Sequence, residues 1–99
     1  MEKTIAIIGG SQESTYQRVA KKKGCHVLFH NGKTSGKGSK KFFRKMVRQA
    51  DCVIVLVGAC GHISMDIVKD LCKKTNTPIC FHSNFGATGA IEKALKKAA

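Results

Sequence analysis

The chain has 99 residues, 42% of them hydrophobic, and a formal charge of +12 from 18 basic and 6 acidic side chains. That length holds one domain with one modest core, and the hydrophobic share excludes a disordered chain. No apolar run approaches the roughly 20 residues that cross a bilayer, and Met1-Glu2-Lys3 leads into a strand rather than a signal peptide, so a soluble cytoplasmic protein is expected.

Thr4–Ile8 is a nearly continuous apolar run rich in β-branched residues, as a strand buried on both faces should be. Gly9-Gly10 breaks it, and a helix is predicted over about Glu13–Lys23, with Tyr16, Val19 and Ala20 inward and Gly24 as its stop. Cys25–His30 reads as a second strand that carries His26, Leu28 and His30 on one face. The polar, glycine-rich stretch Asn31–Ser39 is a loop, and Ser39 is placed to cap a second helix over Lys40–Gln49. Phe42, Phe43, Met46, Val47 and Ala50 repeat there at helical spacing, so both phenylalanines are expected in the core. Cys52–Val57 is the most apolar strand and is expected at the centre of a sheet. A third helix is predicted over about His62–Lys74, burying Ile63, Ile67, Val68, Leu71 and Cys72. Asn76-Thr77-Pro78 turns the chain into a fourth strand, Ile79–His82, and a helix over about Thr88–Ala98 ends it.

Strictly alternating strands and helices with short connections imply right-handed crossovers and a parallel sheet. The expected fold is a single α/β domain over residues 1–99: a small open four-stranded parallel sheet of order 2-1-3-4, helices on both faces, Rossmann/flavodoxin-like. Open edges on so small a sheet make a homodimer the expected assembly.

Five cysteines, an odd number with no C-x-x-C pair, argue against a disulfide framework. Cys25, Cys52, Cys72 and Cys80 fall on apolar elements and read as buried free thiols, leaving Cys60 alone in a loop. Charge is unevenly placed: ten basic residues and no acidic one lie between Lys21 and Arg48. A field of that sign attracts polyanions, and it exceeds the charge of about 2–8 that solubility asks of a small domain.

In such a sheet the ligand-binding crevice lies outside the carboxyl ends of the strands, where the order reverses between strands one and three. Gly9-Gly10-Ser11 opens a helix there, so the amides of Gly10 and Ser11 are candidates to grip an anion. His62 and Ser83 are candidates to hydrogen-bond it; His30, Asn31 and His82 line the same edge, and Lys33 or Lys37 would close over it. The spacing is not G-x-G-x-x-G, and His30 stands where a ribose-binding acid would close strand two, so dinucleotide binding is not expected. Gly32-Lys33-Thr34 and Gly36-Lys37-Gly38-Ser39 lack the P-loop spacing as well. Cys60-Gly61-His62 offers two ligands for a transition metal, with His30 or His82 in support, and haem with an axial Cys60 or His62 is a related alternative; the cofactor, if any, stays open. No carboxylate pair and no Ser–His–Asp set assembles at this edge, which favours a non-enzymatic binding or sensing domain. Nucleic acid bound through the Lys21–Arg48 surface is a further alternative.

Ala50-Asp51-Cys52-Val53-Ile54-Val55-Leu56, His62, Ser64-Met65, Val68-Lys69 and Pro78-Ile79-Cys80-Phe81-His82-Ser83 together resemble the small bacterial domain of unknown function family 2325, as do Ile7-Ile8-Gly9-Gly10 and His30-Asn31-Gly32-Lys33. The pattern differs where Val57-Gly58 replaces a Thr-Asp pair and Gly61 a serine. The resemblance implies a small Rossmann-like domain with His62 at a shared functional position.

Overall fold

A computed structural model of the chain describes residues 2–33, 38–83 and 86–98. Four strands alternate with four helices: β1 Thr4–Ile8, α1 Glu13–Lys23, β2 His26–His30, α2 Gly38–Gln49, β3 Cys52–Leu56, α3 His62–Thr75, β4 Ile79–His82 and α4 Ala87–Ala98. The sheet is parallel throughout and its order is β2-β1-β3-β4, as the alternation predicts. No helix among the described residues is long and apolar enough to cross a membrane.

Side chains of a strand alternate between the two faces of its sheet, and each face here has its own core. Ile5, Ile7, Cys52, Ile54, Leu56 and Cys80 pack against α1 and α4 through Tyr16, Ala20, Ala90, Ile91 and Ala94. Ala6, Ile8, Val53 and Val55 pack on the other face against Phe43, Met46 and Val47 of α2 and Val68, Leu71 and Cys72 of α3. β3 is buried along its whole length, in keeping with its central place. Gly24 ends α1 in the left-handed conformation at φ 72°, donating its amide back to the last turn. Asn76 does the same for α3 at φ 56°, a conformation that asparagine tolerates better than most residues.

Two apolar residues leave the positions their spacing predicts. Phe42 is 47% exposed while Phe43 is fully buried, and Ile63 is 64% exposed at the first turn of α3. Each stands at the edge of its helix's apolar arc, where the angle at which the helix docks decides burial. α2 spans Gly38–Gln49, which puts Ser39 in its first turn; the cap expected of the Ser39 side chain lies outside what is described. Cys25, Cys52, Cys72 and Cys80 are buried free thiols, as expected. Burial pushes Cys52 up to about 12 and Cys72 up to about 11, which leaves both as inert core residues.

Candidate functional site

The turns after β1, β2 and β3 meet backbone against backbone at the carboxyl edge of the sheet. Gly9 donates its amide to the His30 carbonyl (2.8 Å), Gly10 to the Ala59 carbonyl (3.1 Å), and Gly61 to the Gly32 carbonyl (3.0 Å). Gly32 is the keystone, at φ +80°: a Cβ added there would stand 3.0 Å from the Cα atoms of both Gly9 and Cys60. The loop after β2 thus crosses the end of β1 and touches the loop after β3, filling one side of the switch-point crevice with main chain.

His30 holds that loop in place. Its Nδ1 accepts the Gly32 amide at 2.9 Å, and its ring packs on Phe43 and Phe42 with centroids 4.4 and 5.2 Å apart. Asn31 Oδ1 accepts the Lys33 amide at 2.9 Å, a local turn of the kind asparagine makes. Both residues are engaged in building the loop. Burial pushes the His30 imidazole below its ordinary 6.5. As pH falls the unfolded chain therefore takes up this proton before the folded one does, and stability is lost progressively below 6.5 until the lower folded value is passed. His30→Phe is expected to flatten the decline in unfolding free energy between about pH 7 and pH 5.5, read from urea titrations. Equal slopes in variant and parent would remove His30 as the titrating group.

The other side of the crevice is open. A cavity of roughly 130 Å³ lies there, lined by Gly9, Gly10, Ser11, Gln12, Tyr16, Leu56 and Ala59. The turn leads into α1, whose N-cap, Gln12, makes no side-chain cap. The first intrahelical bond runs from the Tyr16 amide to the Gln12 carbonyl, so the amides of the first turn lack intrahelical acceptors. Gly10, a sequence candidate, has its amide committed to Ala59; the donors left at this edge are those from Ser11 onward. The Tyr16 phenol, pushed by burial further above its ordinary 10.0, is protonated and able to donate at neutral pH, as an unshifted tyrosine also is. Glu13 supplies an acidic group to the same helical turn and is exposed.

The remaining candidates do not converge. His62 and Ser83 are exposed, and neither lines the cavity. Lys33 is exposed, and Lys37 lies outside the described residues. His30 and His82 end the two opposite edge strands, three strand spacings or about 14 Å apart. They also face opposite sides: His30 joins the α2 aromatics, whereas His82 shares the face of Cys80, with its Cε1 near Gly89 of α4. Cys60 packs with the α2–α3 core, and burial pushes its thiol up, away from the thiolate a metal would need. Among the described residues no three His, Cys, Asp or Glu side chains are grouped to hold a metal ion. On one chain, therefore, neither His30 nor His82 joins Cys60 and His62 in a metal-binding group.

Sequence reasoning missed Gln12, Tyr16, Leu56 and Ala59. The signal was present in strand parity. Leu56 shares the face of Cys52 and Ile54, and Tyr16 stands one turn after Gln12 on the inward side of α1.

Over residues 4–98 the chain matches the model of a family described as an uncharacterized protein conserved in bacteria, DUF2325. A UPF0751 protein of Bacillus anthracis is 45% identical over 93 residues, covering 94% of this chain and 93% of the relative. One from Bacillus cereus (strain AH820) is 46% identical over 93 residues, with the same coverage. One from Desulfitobacterium hafniense (strain Y51) is 32% identical over 98 residues, covering 96% of this chain and 95% of the relative.

Proposed function

The chain belongs to the DUF2325 family, whose description assigns no chemistry, and on its own residues we propose that it binds a small phosphate-bearing ligand without transforming it. The observation that carries this reading is the cavity between the turn after β1 and the turn after β3, bounded by the uncapped start of α1. Unpaired amides at a helix start and the positive end of its dipole favour a negative group by about 0.3–1 kcal/mol, up to about 2 where partly buried. At roughly 130 Å³ the cavity has room for a small polar group. It is far below the roughly 300–1,000 Å³ of a whole-ligand pocket, so one phosphate enters and the rest of the ligand lies across the outer edge. The amides of Ser11 and Gln12, the hydroxyl of Ser11 and the phenol of Tyr16 are the donors for that phosphate. His62, Ser83 and Lys33 are exposed and do not line the cavity, so they are candidates only for the part of the ligand outside it.

Thermal melting in rising inorganic phosphate, with ionic strength held constant by chloride, tests this. A ligand at one hundred times its Kd stabilises by about 2.7 kcal/mol, a rise of roughly 10–20 °C in Tm for a domain of this size. Ser11→Glu places a carboxylate at an exposed position beside the cavity and should abolish the rise. Glu13→Gln removes a resident charge and should increase it. An equal rise in Ser11→Glu, or none in the parent, contradicts the proposal.

A further inference from the structure

A second feature lies away from the switch point. Lys41, Arg44, Lys45 and Arg48 of α2 fall at i, i+3, i+4 and i+7, one helical stripe about 10 Å long. With Phe42 and Gln49 they line an open groove of about 570 Å³. The groove continues into a hollow of about 350 Å³ along the edge strand β2, lined by Gln17, Val27, Leu28, Phe29 and Met46 with Glu13 among them. Phe42, Lys45 and Gln49 border both. None of these four cations is in a salt bridge among the described residues.

We propose that this groove binds single-stranded nucleic acid, with the stripe contacting phosphates and Phe42 stacking on a base. Charge selects a polyanion, and a half-exposed ring among four cations adds what single-strand binders use, a stacking platform beside a basic track. A membrane surface fits less well. The apolar face of α2, Phe43, Met46 and Val47, is already spent on the sheet, leaving Phe42 alone to enter lipid. The basic surface expected between Lys21 and Arg48 narrows accordingly to the α2 stripe. On α1, Lys23 pairs with Glu92 at 2.7 Å, and Lys21 borders a different hollow, beside Glu2 and His26.

The test is fluorescence anisotropy with a labelled twelve-nucleotide oligothymidylate. Four phosphate contacts give a slope of about −2.8 in log K against log salt, a loss of about 50-fold between 50 and 200 mM. The double variant Arg44→Ala/Arg48→Ala should halve the slope, and Phe42→Ala should weaken binding roughly 5- to 150-fold at every salt concentration. All three positions are exposed, and circular dichroism melts confirm that the variants fold. Ser11→Glu should bind the oligonucleotide as the parent does, which separates this groove from the phosphate cavity. Affinity indifferent to salt or to the double variant overturns the proposal, as does unchanged affinity in Phe42→Ala. Tighter binding to duplex of the same length, or to phosphatidylserine vesicles, overturns it in favour of those partners.

Discussion

Gly32→Ala is expected to lower the unfolding free energy by about 3 kcal/mol, the sum of roughly 1–2 for a left-handed backbone and 1–3 for forced packing. Gly32 is at φ +80°, and the added methyl would meet two Cα atoms at 3.0 Å, neither of which belongs to a movable side chain. In a domain of this size the loss corresponds to a fall in Tm of roughly 12–24 °C. Gly10 and Gly24 provide the comparison. They share the positive φ, +82° and +72°, but a Cβ at Gly10 meets nothing closer than Ala59 Cβ at 3.8 Å, and one at Gly24 meets nothing within 4 Å. Alanine at either should cost only the backbone part, about 1–2 kcal/mol. Urea titration of the three variants separates strain from crowding. If Gly32→Ala costs no more than Gly10→Ala, the three turns are not locked together as described.

The two phenylalanines of α2 should part just as widely. Phe43 is fully buried and packs on the His30 ring, so Phe43→Ala removes a core side chain and the platform beneath the loop. A loss of about 3–5 kcal/mol is expected, a large share of the roughly 5–15 kcal/mol that stabilises a domain. Phe42, 47% exposed, should lose less than about 1 kcal/mol on the same substitution. Adjacent residues of one sequence type then separate a structural role from a surface one. Equal losses would mean that Phe42 belongs to the core and that the α2 groove lacks its stacking ring.

That contrast also shows what the sequence carries. The two central strands were legible because strands buried on both faces must be apolar throughout, and the edge strands because glycine or polar breaks bound short runs of apolar residues. The sheet order followed from connection rules, and the order located the crevice. Phe42 and Ile63 were misread because periodicity defines an apolar arc but not the angle at which it docks. Filling of one crevice side by Gly32 left no sequence pattern, since it is a contact between main chains. The separation of His30 from His82 was readable from strand order and parity, yet grouping residues by loop alone set them on one edge. For the candidate site, Gly9, Gly10 and Ser11 were found from their place after a strand; Leu56 and Ala59 needed the neighbouring strand in register.

The most direct test of the central claim is a ¹⁵N–¹H correlation spectrum of the protein titrated with pyrophosphate at constant ionic strength. Binding at the start of α1 predicts saturable shifts at the amides of Ser11, Gln12, Glu13 and Ser14, with the committed amides of Gly9 and Gly10 moving less. Shifts confined to the amides of α2, or an unchanged spectrum, would contradict a phosphate site at the switch point.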